Sequence, residues 1–121
     1  GAKVLANDLW ISGEENAARF AAWGVGDKVT PVHENANNLR FEKECFEAVV
    51  SIDSYHYFAG KEGYFQQKIL PFLKPGGAVF FEIGENQGDA VSRLMFDYGF
   101  EDILIEKDYA GLNRYASARL P

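Results

Sequence analysis

Leu70–Gly84 reads LPFLKPGGAVFFEIG, and the fold turns on how it is parsed. Pro75 has no amide hydrogen with which to continue a helix, and Gly76 and Gly77 permit the left-handed turn that ends one. Ala78–Ile83 is an apolar run too short for most helices and rich in β-formers, which predicts a central strand. The stretch is read as a helix end, a Pro-Gly-Gly turn and a buried strand.

Working outward, the same alternation recurs on both sides. Upstream, Gly63–Leu73 directs Phe65, Ile69, Leu70 and Phe72/Leu73 inward at helical spacing. Phe46–Asp53 (FEAVVSID) is a second strong strand, and its Ala-Val-Val centre predicts cover on both faces. Lys3–Leu9 (KVLANDL) and Lys28–Glu34 (KVTPVHE) are shorter strands, and Pro31 places the latter at a sheet edge because it removes a ladder donor. Between them Ser12 and Glu15 form a capping box for a helix over Asn16–Trp23, stopped by Gly24. Asn35–Lys43 is polar and turn-rich. Downstream, Gly88–Tyr98 is a helix stopped by Gly99. Asp102–Lys107 and Asn113–Leu120 alternate at period two and predict an antiparallel pair joined around Gly111.

Strand–helix alternation implies crossovers and a mostly parallel sheet with helices on both faces. The expected class is α/β: a three-layer Rossmann-like sandwich with a mostly parallel six-stranded sheet and an antiparallel C-terminal strand. The 121 residues are expected to form a single domain, with 47% hydrophobic and 15% aromatic residues. The formal charge of −6 argues against a nucleic-acid partner, because phosphate contact needs clustered Lys and Arg. No apolar run approaches the roughly 20 residues of a membrane span. No signal-peptide pattern opens the chain. The single cysteine, Cys45, forms no internal disulfide and offers no metal-ligand spacing, and neither His33 nor His56 has a ligand partner, so no metal site is expected. These features suit a soluble, reduced, cytoplasmic protein.

Asp8 at a strand end, the turn Asn38-Leu39-Arg40-Phe41, FEAVVSIDSYHYF and LKPGG occur in an order that resembles the class I S-adenosylmethionine-dependent methyltransferases. Over residues 1–77 the resemblance is to small-molecule methyltransferases. From Gly76 onward the chain is similar to the C-terminal part of the release-factor glutamine methyltransferases. There the shared residues are Glu82-Ile83-Gly84, Gln87-Gly88, Gly99-Phe100, Lys107-Asp108, Gly111 and Arg114. The Asn-Pro-Pro-Tyr of that second family is replaced by Asp53-Ser54-Tyr55-His56. The two segments meet near Lys74–Gly77, and a recombined or engineered chimera is the simplest account of the junction.

The resemblance also implies what the sequence lacks. A glycine-rich turn after a first strand, by which such enzymes cradle their cofactor, has no counterpart: Gly24-Val25-Gly26 follows a helix and Gly76-Gly77 precedes a strand. The expectation is a methyltransferase-derived scaffold without catalytic activity. The alternative is a small-molecule methyltransferase whose S-adenosylmethionine site is completed by dimerisation. Without that first strand, Lys3–Leu9 is expected to pair directly with Phe46–Asp53, or else to leave a seam that a second copy fills.

By resemblance, the vestigial cofactor-binding residues are Asp8, Leu9, Asn35, Ala36 and Asp53. Asp8 would bond the ribose, and Asn35 stands where the family has an adenine-contacting Asp. Trp10 either covers an adenine or packs beneath the first helix. The catalytic candidates are His56 and Tyr55, in the loop that contacts the acceptor in the family; His56 titrates near neutrality and so suits a base. Glu82 ends a strand at the side where such sheets bind ligands. His33 is read as structural.

Overall fold

A computed structural model describes residues 2–52, 55 and 63–121. The chain divides into two compact units, Gly1–Arg40 and Phe41–Pro121.

The first unit is a strand–helix–strand element: β1 (Val4–Asp8), α1 (Gly13–Ala22) and β2 (Val29–His33), followed by a 3-10 turn over Ala36–Asn38. β1 and β2 pair in parallel, in register from Val4 opposite Val29 to Asp8 opposite His33. α1 begins where the sequence places its cap, with the Glu15 amide donating to Ser12 Oγ at 3.2 Å. It ends at Gly24, whose φ of 76° is the left-handed conformation expected after a helix. Pro31 is tolerated because β2 pairs on one side only.

The second unit contains β3 (Phe46–Ser51), α2 (Tyr64–Lys68), a 3-10 turn (Leu70–Phe72), β4 (Leu73–Glu82), α3 (Gly88–Asp97), β5 (Glu101–Lys107) and β6 (Asn113–Arg119). Its strands lie in the order β3-β4-β6-β5, with β3 and β4 parallel and β6 antiparallel to both its neighbours. The expected mixed sheet with an antiparallel C-terminal strand is present. One face of it packs Val79, Phe81, Ala116 and Ala118 against Val91 and Met95 of α3, with Phe65 of α2 in the same core.

Three expectations are corrected. The six strands do not form one continuous sheet: β1 pairs with β2 in a two-stranded sheet, and β3 pairs with β4 rather than with β1. Val4 and Leu5 of β1 are almost half exposed, so that strand lacks the double-sided apolar cover of a strand central to a parallel sheet. Nor are both faces of β3 covered, since Val49 packs on the core while Ala48 and Val50 are exposed.

The third correction concerns the opening stretch. The helix spans only Tyr64–Lys68, and Leu73 already belongs to β4. Pro71, not Pro75, ends it: its ring lacks an amide hydrogen and disfavours helical backbone at Leu70, so the chain tightens into a 3-10 turn. Pro75-Gly76-Gly77 then lies inside the strand as a bulge. Between the pairs Phe46–Leu73 and Ala48–Ala78, β3 advances from 46 to 48 while β4 advances from 73 to 78. Gly76 takes the left-handed φ of 81° that the bulge requires. Its amide donates to the Leu120 carbonyl at 2.7 Å, and the Leu120 amide donates to the Gly77 carbonyl at 2.8 Å, so the end of the chain satisfies the bulged backbone.

Candidate functional site

The carboxyl ends of β1 and β2 bring together most of the expected cofactor residues. Asp8 closes β1, and its Oδ1 accepts from the amides of Trp10 at 2.9 Å and Ile11 at 3.1 Å. These two bonds, the Trp10 amide first, hold the carboxyl below its ordinary range; partial burial opposes them, and the Asn16 side chain assists. Asp8 is therefore ionised across the neutral range. Both amides bond Oδ1, and a carboxylate's two oxygens offer roughly four acceptor positions, which leaves capacity for a further hydroxyl.

The neighbouring loops are fastened by polar side chains. Asn7 grips the backbone of Glu34 from both sides, accepting from its amide at 3.0 Å and donating to its carbonyl at 3.1 Å. His33 Nε2 lies 2.8 Å from the Leu9 carbonyl, which can only accept, so this nitrogen carries the proton. Asn35 caps the 3-10 turn that contains Ala36, its Oδ1 accepting from the Asn37 amide at 2.9 Å. Asp8, Leu9, Asn35 and Ala36 thus belong to one pair of adjoining strand ends. Trp10, at 87% exposure, is not packed beneath α1.

The acceptor-side candidates divide. Asp53 and His56, with Ser54 and Tyr57, lie outside the described residues. Tyr55 is buried and its ring stacks on Phe81. Burial, with Tyr64 nearby, drives its phenol far above the ordinary tyrosine value, so the structure places it in the core as a protonated group. Cys45 is half-buried, and its thiol is raised, mainly by that burial.

At the end of β4, Gln87 Oε1 accepts from the Gly84 amide at 2.7 Å and shapes the turn into α3. The hairpin resemblance also has a structural counterpart. Asp108 Oδ1 accepts from the amides of Ala110 at 2.9 Å and Leu112 at 3.1 Å, its Oδ2 meets Arg114 Nε at 3.3 Å, and Arg114 reaches the Ile83 carbonyl at 3.4 Å. Among the described residues no group of three or more His, Cys, Asp and Glu side chains could hold a metal, and no helix is long and apolar enough to cross a membrane.

Sequence reasoning overlooked Asn7 and Asn16. Both carry a faint signal: asparagine is depleted in strands and indifferent in helices, so each is present for its side chain. Asn16 is the one buried polar residue among those described.

Comparison with known proteins gives four likenesses. The family described as the methyltransferase domain matches residues 1–81. A release factor glutamine methyltransferase of Clostridium botulinum is 42% identical over 76 residues, covering 63% of this chain and 26% of the relative. A bifunctional methyltransferase of Rickettsia conorii is 29% identical over 141 residues, covering 93% of this chain and 26% of the relative. The chain therefore spans about a quarter of the length of these two relatives. Among solved structures, an S-adenosylmethionine-dependent O-methyltransferase of Thermotoga maritima superposes with a TM-score of 0.73 at 17% identity, over 98% of this chain and 49% of that one. At that identity the likeness is one of fold.

Proposed function

The chain belongs to the methyltransferase domain family, which covers residues 1–81, and from that membership we propose that the carboxyl ends of β1 and β2 hold the adenosine part of S-adenosylmethionine. The observation that carries this reading is Asp8, an ionised carboxylate with acceptor capacity beyond its two amide bonds, at the end of a strand and beside the Asn35 turn. A ribose hydroxyl is the matching donor. When bound, the cofactor supplies an electrophilic methyl group on a sulfonium. Asp8 would anchor the sugar, and Trp10 offers an exposed aromatic face to a base.

The methionine end finds no such match among the described residues. It would need a run of free amides approached closely, which glycine allows, but Gly13, the first glycine after β1, is already the first residue of α1, and the next two glycines follow the far end of that helix. Gly24 ends α1, and a Cβ on Gly26 would stand 3.3 Å from the Ala21 Cα. These residues therefore bind the nucleoside and by themselves do not complete methyl transfer. The test is calorimetric titration of the 121-residue chain with adenosine and with S-adenosylhomocysteine. The two ligands bind within a few-fold of each other, and Asp8→Ala weakens both by about tenfold, the scale of one charged hydrogen bond. Strong preference for S-adenosylhomocysteine, or no heat from either ligand, overturns the reading.

A recombined origin is not needed to explain the two resemblances. The Rickettsia conorii relative aligns over 93% of the chain and so runs across Lys74–Gly77. A second reading, completion of the site by a second copy, is favoured by the outer edge of β3, which pairs with no other strand among the described residues. Light scattering across a concentration series tests it, and a monomer throughout overturns it.

A further inference from the structure

We propose, on the strength of the nucleoside reading above, that Asn35 reads the base of the bound nucleoside as a hydrogen-bond donor, so that the site accepts adenine and 6-oxopurine bases alike. The turn fixes which way the Asn35 amide faces. Its Oδ1 accepts from the Asn37 backbone amide at 2.9 Å and from the Asn37 side-chain Nδ2 at 3.0 Å. A backbone amide can only donate, so the atom it meets is the oxygen, and two donors fill both lone pairs of that carbonyl. Asn35 is exposed, and its own NH2 group has no partner among the described residues. What the side chain offers a ligand is therefore a donor and no acceptor.

The strand register places that donor beside the sugar anchor. Asp8 stands opposite His33, two residues before Asn35, and Asn7 holds the intervening Glu34 through its amide and its carbonyl. One strand spacing across and two residues along amount to roughly 8 Å between Asp8 and Asn35. A ribose held at Asp8 thus brings its base within reach of Asn35. The edge of the base then decides what is gained. Adenine presents a ring nitrogen as acceptor and an exocyclic amine as donor, whereas a 6-oxopurine presents the same nitrogen and a carbonyl oxygen, both acceptors. An NH2 group finds an acceptor on either base and gains nothing from the amine. A carboxylate in its place would accept from the amine and repel the carbonyl oxygen.

Calorimetric titration of the 121-residue chain with adenosine and with inosine tests the proposal, in the parent, in Asn35→Asp and in Asp8→Ala. Asn35→Asp keeps an oxygen for the Asn37 amide and turns the remaining group from donor into acceptor, and its thermal melt matches the parent's. The parent binds the two nucleosides within about fivefold of each other, less than one charged hydrogen bond provides. Asn35→Asp comes to favour adenosine by about tenfold more than the parent does, the scale of one such bond. Asp8→Ala weakens both nucleosides together and leaves their ratio unchanged. A larger parent preference for either nucleoside, or a ratio unmoved in Asn35→Asp, overturns the role of Asn35 and leaves the nucleoside reading standing. Absence of binding by both nucleosides overturns that reading, and the role of Asn35 with it.

Discussion

The Tyr55 ring lies over the Phe81 ring, with centroids 4.0 Å apart and planes within 17° of parallel. Phe81 in turn meets Phe65 of α2 edge-on at 6.3 Å, so the stack joins Tyr55, beyond β3, to the carboxyl end of β4 and to α2. Removing the ring opens a large cavity at a fully buried position. Tyr55→Ala is expected to cost about 3–5 kcal/mol, as for other large aromatics, and Tyr55→Phe far less. Urea denaturation of both variants checks this, and a small loss in Tyr55→Ala would show that the stack is not part of the core.

The same cluster sets an alkaline limit on stability. Burial pushes the Tyr64 phenol up to about 12, and Tyr55 is raised as well. An unfolded tyrosine releases its proton near pH 10 or so, while the folded protein retains it. Between those values the folded state binds more protons than the unfolded state, so stability falls as pH rises. It is fully present below about pH 10 and declines toward about pH 12. Tyr64→Phe should flatten that decline. Unfolding free energies measured at several alkaline pH values read the slope, and an unchanged slope in Tyr64→Phe would exclude it as the titrating group.

Which parts were legible in the sequence follows from the range of the forces involved. The Ser12 cap, the Gly24 stop, the edge placement of Pro31 and the C-terminal hairpin are local devices, each decided within a few residues, and all are found. The strand around Val79 was legible because an apolar run that short has few alternatives. The bulge at Pro75–Gly77 was not, because it depends on pairing with Phe46 and Ala48 and on bonds to Leu120, all distant in sequence. The separation into a two-stranded and a four-stranded sheet is likewise a matter of pairing between segments. Within the site, Asp8 and Asn35 were legible as residue types at strand ends. The grip of Asn7 on Glu34 was not, since it joins two segments 27 residues apart.

The bulge makes a prediction that separates two adjacent glycines. At Gly76 a side chain would meet nothing within 4 Å, and the strain comes from the φ of 81° alone. Gly76→Ala should cost about 1–2 kcal/mol. At Gly77 a Cβ would stand 2.8 Å from the Lys74 carbonyl oxygen and 2.7 Å from Leu73 Cδ1, and the former is backbone that cannot swing aside. Gly77→Ala should cost more, about 2–3 kcal/mol or above. Thermal melts of the two variants rank them, and the reverse order would mean that the bulge relaxes around the new methyl group.

The last prediction concerns acid. Asp108 anchors the β5–β6 turn by accepting the amides of Leu112 and Ala110, and it faces Arg114, which also reaches the Ile83 carbonyl at the end of β4. The Leu112 amide bond, with help from Arg114 and the Ala110 amide, lowers the carboxyl from its ordinary value. A lowered value means that the unfolded state takes up the proton first as pH falls. The stabilisation is therefore complete above the unfolded value near pH 4 or so, and is lost as pH drops through the folded one. Asp108→Asn keeps one acceptor for the amides but gives up the charge that Arg114 meets. Its deficit relative to the parent should be largest near neutrality and shrink in acid. Arg114→Lys should show part of the same deficit, because an ammonium cannot present the guanidinium's several donors to Asp108 and Ile83 together. Chemical denaturation of the three proteins at neutral pH and at two acidic values resolves the pattern. A deficit in Asp108→Asn that is independent of pH would assign the role of Asp108 to turn geometry rather than to its charge.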